Sequence, residues 1–158
     1  MSSISQYESE LRQLSWLWAY CYDTKDWEKL HTICSSEFKM FYGELDPHLG
    51  DKTVPVEDFI AEMSAKTALG DARLKTQHFL GAVMFEQGEE EGTATGTWQV
   101  QGLHRRFKDD GEVVRWNAYN YVQHFYRKDG QGQWKLDGLK PSRPLFMDGK
   151  PGDVIGDF

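Results

Sequence analysis

The stretch LKTQHFLGAVMF, residues 74–85, decides the fold class because it reads as a long β-strand rather than a helix. Only Lys75, Gln77 and His78 interrupt an otherwise apolar run. In a strand, alternate side chains lie on one face. The face that contains His78 is predicted to carry Thr76, His78, Leu80, Ala82 and Met84. An imidazole in the middle of such a face needs either a structural or a catalytic explanation.

Three further long strands are predicted after this one, so that the four lie at about 74–86, 93–108, 113–127 and 133–140. The turn-forming clusters EQGEEEG, KDDGE and KDGQGQ separate them. Short polar connections of this kind are typical of hairpins, so the strands are predicted to be antiparallel neighbours.

Helical patterns precede the strands. Residues 7–22 place Tyr7, Leu11, Leu14, Trp18 and Tyr22 on one face. Thr24 is predicted to cap a short second helix over residues 26–33, and FKMFY, residues 38–42, is predicted to be a short strand. Pro55 is predicted to begin a third helix over residues 56–68, which Gly70 ends.

Helices followed by a meander of long strands indicate an α+β fold. The helices should pack on one face of a strongly curved, mostly antiparallel sheet. A cone-shaped α+β barrel closes such a sheet, and its open end would form a pocket. No repeat or linker divides the 158 residues, so residues 1–158 are predicted to form a single domain.

The charge balance argues against several partners. The chain has 18 Lys and Arg against 25 Asp and Glu, a formal net charge of −7. An acidic surface repels nucleic acids and anionic membranes, so neither is expected as a partner. No apolar run approaches the roughly 20 residues that span a bilayer, and the N-terminus does not resemble a signal peptide. Cys21 and Cys34 form no CxxC and are expected to be reduced in a cytoplasmic protein.

Two more strands repeat the pattern of an apolar face with one polar group, which is typical of a small-molecule pocket. These faces are Trp98, Val100, Gly102 and His104 on one strand, and Trp116, Ala118, Asn120 and Val122 on the next. His78 and His104 could therefore face one cavity. Alternatively, each imidazole could be a core residue that bonds a backbone carbonyl. Asp23, in the turn after the first helix, could cap the second helix or orient an imidazole.

Four segments of the chain resemble the scytalone dehydratase family of fungal melanin biosynthesis. They are YDTKDW, LGDARLKTQHFLGA, LHRRFKD and HFYRKDGQGQWKLDGLKP, within a similarity that runs from about residue 11 to residue 141. The family belongs to the cone-shaped folds similar to nuclear transport factor 2 and the cyclase SnoaL. The resemblance implies dehydration of a small aromatic polyketide ketone, no metal or organic cofactor, and a homotrimer.

The resemblance also implies roles for individual residues. The family's His–Asp pair falls on His78 and Asp23, its second histidine on His104, and its two carbonyl-binding tyrosines on Tyr22 and Tyr42. The expected substrate contacts are Asn120, Val122, Trp18 and Phe146. Val122 departs from the family, which has an asparagine there. The tail, about residues 142–158, matches poorly and corresponds to a region that folds over the pocket as a lid.

The sequence therefore predicts a cofactor-independent hydro-lyase of secondary metabolism. It would eliminate water from a hydroxylated cyclic polyketide ketone through an enolate. Two alternatives stay open at this point. One is a polyketide isomerase or cyclase on the same scaffold, and the other is a non-catalytic binding module.

Overall fold

The computed structural model describes residues 3–158, and its helices and strands follow the predicted order with two added short strands, at Asp51–Pro55 and Phe146–Asp148. The helices are α1 (Glu8–Thr24), α2 (Trp27–Ile33) and α3 (Val56–Ser64). The strands are β1 (Cys34–Phe41), β2 (Asp51–Pro55), β3 (Leu74–Gln87), β4 (Thr93–Phe107), β5 (Val113–Lys128), β6 (Trp134–Pro141) and β7 (Phe146–Asp148). Short 3₁₀ turns lie at Ile4–Gln6 and Pro151–Asp153.

The strands form one mixed sheet in the order β2-β1-β6-β5-β4-β3. The short strand β7 also pairs with β5, outside this order. β1 and β6 run parallel, whereas the other described pairs are antiparallel. The prediction of an α+β fold with helices on a mostly antiparallel sheet is confirmed. Within residues 3–158, β2 and β3 remain as the two edges of this sheet, which is therefore open.

Helix α1 covers the inner face of the sheet, which we define as the face that carries Trp98 and His104. Its predicted apolar stripe is buried: Leu11, Leu14, Trp18 and Tyr22 are all at most 9% exposed. Burial of each such side chain contributes about 1.5–3 kcal/mol. The end of this stripe at Tyr22 places the next residue, Asp23, against β3.

A β-bulge changes which residues of β3 face inwards. The pairing register of β3 with β4 shifts between Leu80 and Val83, so Val83 takes the inner face and Met84 becomes 68% exposed. The predicted inward positions of Ala82 and Met84 are therefore wrong. A bulge adds one residue to a strand and inverts the alternation beyond it, and Gly81 is a residue type that favours it. His78 precedes the bulge and keeps its predicted face.

Two helix boundaries also differ from the prediction. Asp26, not Thr24, caps α2: its carboxylate accepts the Lys29 N–H at 3.0 Å. The Thr24 hydroxyl instead donates to the Tyr20 carbonyl at 2.7 Å. Helix α3 ends at Ser64, and Gly70 follows in a turn so tight that a Cβ there would lie 1.8 Å from the Ser64 carbonyl oxygen. A glycine is required at that position because any side chain would collide with the backbone.

Across residues 3–158, none of the helices combines the length and the apolar character that a membrane crossing requires.

Candidate active site

Asp23 turns its carboxylate from the end of α1 towards β3. It accepts hydrogen bonds from His78 Nδ1 at 2.7 Å, from the His78 backbone N–H at 2.9 Å and from the Thr76 hydroxyl at 2.9 Å. An ionised carboxylate only accepts, so Nδ1 carries a ring hydrogen and the neutral imidazole presents its lone pair at Nε2. The side chains of His78 and Asp23 are 10% and 18% exposed. Of its two predicted roles, Asp23 thus has the contact that orients an imidazole.

His104 lies beside this pair and is held by β5. Its Nδ1 donates to the Trp116 carbonyl at 3.0 Å, and its ring stacks on the Trp116 indole with centroids 4.2 Å apart. The His78 ring lies edge-on, 5.7 Å away. Burial, and then the nearby His78, lower the pKa of His104 from 6.5 to about 4. At neutral pH, His104 is therefore uncharged and offers a lone pair at Nε2.

Two aromatic side chains with polar groups pack against His78, and Tyr42 lies next to one of them, Tyr22. Trp18 and Tyr22 pack edge-on against its ring, with centroids 5.4 and 5.6 Å away. Burial, and then the neighbouring Tyr42, raise the pKa of Tyr22 well above its usual value, and burial also raises that of Tyr42. The Tyr22 hydroxyl and Trp18 Nε1 are buried without a hydrogen-bond partner of normal geometry among residues 3–158. Of these two groups, Trp18 belongs to a residue that lines the cavity, so its Nε1–H is a donor that a substrate oxygen could use.

A cavity of about 130 Å³ opens on the inner face of the sheet in front of the two imidazoles. Its lining brings together six of the nine predicted site residues: Trp18, Tyr42, His78, His104, Asn120 and Val122. Asp23 and Tyr22 contact His78 directly. The other lining residues are Leu45, Val100, Gly102, Trp116, Ala118, Leu139 and Pro141. The cavity is therefore mostly apolar, with its titratable groups concentrated around His78.

Asn120 and Val122 form the wall of the cavity on β5. The Asn120 amide Nδ2 donates to the Ser142 carbonyl at 3.1 Å, at the start of the C-terminal segment. One of its two amide hydrogens is thus engaged, while Val122 is 5% exposed and lies beside Leu139 and Pro141. This side of the cavity is apolar apart from the Asn120 amide.

Phe146 does not line the cavity. It is 60% exposed, and its ring stacks on Tyr119 with centroids 4.4 Å apart, on the outer face of the sheet. The reason is that β7 pairs with β5 and places Phe146 opposite Tyr119, whose neighbours Ala118 and Asn120 point inwards. The structure therefore does not bring Phe146 to this cavity, and its contact with a substrate stays a prediction. The lid role of residues 142–158 stays a prediction.

Several residues of the site were missed or undervalued by the sequence. Thr76 bonds Asp23, and its position two residues before His78 on one strand face was the available signal. Gly102 leaves room between the imidazoles, since a Cβ there would lie 3.2 Å from His104 Cε1 and 3.8 Å from His78 Nε2. Leu45 comes from the loop between β1 and β2, and no local pattern marks it as a lining residue.

Within residues 3–158, no three or more His, Cys, Asp or Glu side chains are arranged to hold a metal ion. Cys21 and Cys34 are buried thiols, and burial raises the pKa of Cys21 to about 11. The groups available for chemistry at the cavity are thus two imidazoles, one carboxylate and two phenols, a set suited to proton transfer.

Comparison with known proteins shows the family of the chain. The family model described as scytalone dehydratase matches residues 4–145, and the chain belongs to that family. A scytalone dehydratase of Pyricularia oryzae is 35% identical over 127 residues, which cover 78% of this chain and 72% of that protein. The scytalone dehydratase-like protein claB of Passalora fulva is 36% identical over 129 residues, which cover 78% and 76%.

A solved structure identifies the fold. A nuclear transport factor 2-like superfamily protein from Salmonella enterica superposes with a TM-score of 0.69 at 14% identity, over 91% of this chain and 95% of that chain. At that identity the likeness shows the fold alone. The chain therefore has the nuclear transport factor 2-like fold.

Proposed function

We propose that this chain is a cofactor-independent hydro-lyase that removes water from a hydroxylated cyclic polyketide ketone in secondary metabolism. The observation that carries the proposal is the 2.7 Å contact between the Asp23 carboxylate and His78 Nδ1, beside a mostly apolar cavity. A carboxylate on one ring nitrogen makes the other a stronger base. The names of the curated relatives, scytalone dehydratase and scytalone dehydratase-like protein, support a polyketide substrate.

The first step is removal of a proton from the carbon next to the ketone. His78 Nε2 accepts this proton, and the electron pair of the C–H bond moves onto the carbonyl oxygen to give an enolate. The hydroxyl groups of Tyr22 and Tyr42 donate to that oxygen, and their raised pKa values keep them protonated. Donors fixed in a dry site stabilise developing charge strongly because they need no reorganisation.

The second step expels the hydroxyl group on the β-carbon. The enolate electrons return to form the carbon–carbon double bond, the C–O bond breaks, and the proton on His78 leaves with the hydroxyl as water. His104 does not supply this proton at neutral pH, since its pKa is about 4 and its Nδ1–H is bonded to the Trp116 carbonyl. It instead accepts a hydrogen bond from a substrate hydroxyl, and the overall step needs no oxidant or reductant.

Isomerisation or cyclisation of a polyketide is the second candidate. Removal of the same proton begins it, but no hydroxyl leaves. The apolar wall at Val122, Leu139 and Pro141 favours this candidate because it offers no side-chain donor or acceptor to a departing hydroxyl. The two reactions differ in product mass, since only dehydration loses one water.

The test is incubation of the purified protein with hydroxylated naphthalenone and anthracenone ketones, followed by mass spectrometry. A product lighter by one water, absent with His78→Ala, supports dehydration. A new product of unchanged mass supports isomerisation. Conversion by His78→Ala at the wild-type rate would contradict the role of the imidazole, and no conversion of any ketone would contradict the proposed substrate class.

We also propose that the chain forms a homo-oligomer, a trimer as the resemblance implies. Large apolar side chains on the outer face of the sheet support association: Phe79, Tyr121, Leu145 and Phe146 are 41–67% exposed. Light scattering should give about three times the chain mass of 18.3 kDa. Phe79→Glu should lower that mass, whereas Leu49→Glu, at an exposed loop residue, should not. A wild-type protein of single-chain mass would contradict this proposal.

A further inference from the structure

Trp116 joins the C-terminal segment to the site. Its indole stacks on His104, nearly parallel at 22°, and its backbone carbonyl accepts the His104 Nδ1–H. On its other side, the indole Nε1 donates to the Met147 sulfur at 3.3 Å, in β7. Trp116 therefore contacts a cavity imidazole with both its backbone and its side chain while it is bonded to the last strand.

We propose that Trp116 is a positioning residue that fixes the His104 ring with its Nε2 lone pair available to the cavity, and that docking of β7 holds Trp116 in place. The use of that lone pair, to accept a bond from a substrate hydroxyl, rests on the proposed function. The positioning itself is a property of the folded chain and needs no substrate.

The carbonyl contact fixes the state of the ring. A carbonyl oxygen only accepts, so His104 Nδ1 must carry the hydrogen, and rotation of the ring by half a turn would break this bond. The stacked indole shields one face of the imidazole from water, and shielding disfavours the imidazolium. The carbonyl contact therefore fixes which nitrogen carries the hydrogen, although it raises the pKa of His104, and it is the shielding that favours the neutral ring that accepts at Nε2.

The charged and titratable groups around His104 come from each neighbouring element. β3 contributes His78, at a ring distance of 5.7 Å, and α1 contributes Asp23, which raises the pKa of His104. On its own strand, the buried Arg106 is matched by Asp71 at 2.8 Å. The His78 and Asp23 effects oppose one another, so burial, to which the stacked indole of Trp116 contributes, is the main cause of the neutral state.

The contact with Met147 explains how the C-terminal segment takes part. β7 pairs with β5 so that Met147 lies opposite Ala118, two residues beyond Trp116. The thioether is a weak acceptor that bonds the indole N–H of Trp116. Because Asn120 bonds Ser142 at the start of the segment, the segment is held at two residues that line the cavity.

The experiment is a titration of the His104 imidazole by NMR in protein with ring-labelled histidine, with the signal assigned by a His104→Gln variant. In Trp116→Ala, the pKa of His104 should rise from about 4 towards 6.5 because one face of the ring gains access to water. Trp116→Phe keeps an aromatic face and should restore most of the wild-type value. Trp16→Ala, at an exposed tryptophan of α1, is the matched control and should not shift it.

An unchanged His104 titration in Trp116→Ala would overturn the proposal, as would an equal shift in Trp16→Ala. If Trp116→Ala does not fold, Trp116→Leu covers less of the imidazole face than an indole does and should give a smaller rise in the pKa of His104 in the same direction. Met147→Ala tests whether β7 holds Trp116 in place, and it should raise the pKa of His104 by less than Trp116→Ala does. No shift in Met147→Ala would overturn the proposed role of β7. Failure to dehydrate any ketone would contradict the proposed function and leave the titration result intact.

Discussion

Two histidines on the inner face of the sheet show how similar contacts lead to different roles. His78 and His124 each bond a side chain of α1 through Nδ1 at 2.7 Å, His78 to Asp23 and His124 to Ser15. Both rings also lie edge-on to Trp18, at 5.4 and 4.9 Å. Yet His78 lines the cavity, whereas His124 is fully buried in the core beyond it.

The two histidines differ in their hydrogen-bond partners and in their access to the cavity. Ser15 also bonds the Tyr126 hydroxyl at 2.6 Å, which accepts from Trp98 Nε1 at 3.0 Å. Trp98 can only donate, so the hydrogen bonds run in one direction: Trp98 donates to the Tyr126 hydroxyl, which donates to the Ser15 hydroxyl. The Ser15 hydroxyl in turn donates to His124 Nδ1. Burial lowers the pKa of His124 to about 3, and no carboxylate opposes this effect. The comparison teaches that a base needs both a carboxylate and an open Nε2.

The largest effect that would test this contrast is on turnover. His78→Ala and Asp23→Asn should each reduce kcat by about 10²–10⁴-fold, because each removes part of one acid–base group. The fold should persist, since neither side chain belongs to the buried core. Circular dichroism and the rate of ketone conversion measure the two properties. Near-normal rates in both folded variants would show that the pair has no catalytic role.

The next effect is the pH dependence of stability. The pKa values of His104 and His124 fall from 6.5 to about 4 and about 3 on folding. Below pH 6.5 the unfolded chain therefore binds protons that the folded chain does not, so stability falls as the pH drops towards 4. The lowered pKa of His104 alone should reduce the free energy of unfolding by about 3 kcal/mol as the pH falls from 6.5 to about 4.

Urea denaturation between about pH 7 and about pH 4.5 measures this loss of stability. Asp71 does not contribute there: Arg106 lowers its pKa, so its stabilisation is lost only as the pH falls below the ordinary value of 3.8. In the His124→Leu variant, the free energy of unfolding should depend less steeply on pH because only one buried imidazole with a lowered pKa remains. A flat stability profile in the wild-type protein would contradict both assignments.

A smaller effect is expected from Ser15→Ala. This change breaks the hydrogen bonds to His124 and Tyr126, and buried groups left without partners cost about 1–3 kcal/mol. Urea denaturation should show that loss of unfolding free energy, while the activity per folded molecule stays near the wild-type value. A large loss of activity in the folded variant would instead place the His124 cluster in the reaction.

The smallest effect is expected from Thr76→Val, which keeps the shape of the side chain but removes one hydrogen bond to Asp23. Loss of a hydrogen bond that contributes about 0.5–1.4 kcal/mol to catalysis should lower kcat/KM by about 2- to 10-fold. Steady-state kinetics at neutral pH measures it. Thr24→Val, whose hydroxyl bonds a carbonyl of α1, is the matched control and should leave kcat/KM unchanged.

The sequence predicted the long strands well because alternation and turn residues are local signals. The inward positions of His104, Asn120 and Val122 follow from alternation along regular strands. The same rule failed at Met84 because a bulge, which depends on pairing with β4, inverted the pattern. Phe146 lies outside the cavity for a similar reason, since only the register with β5 decides which face it takes.

The site was predicted less completely than the fold. Periodicity placed His78 on the inner face, but its contact with Asp23 joins residues 55 positions apart, and the resemblance to a known family supplied that pairing. Neither the cap at Asp26 nor the lining residue Leu45 follows from a pattern that separates it from its neighbours. Contacts between distant elements are thus what the sequence alone left open.

The most direct test of the central claim follows the proton that His78 is proposed to remove. A hydroxylated naphthalenone in deuterated water is monitored by proton NMR at the carbon next to its ketone. We expect the wild-type protein to remove this signal, by exchange or by elimination, and His78→Ala and Asp23→Asn to do so orders of magnitude more slowly. Loss of the signal at equal rates in all three proteins would contradict this expectation.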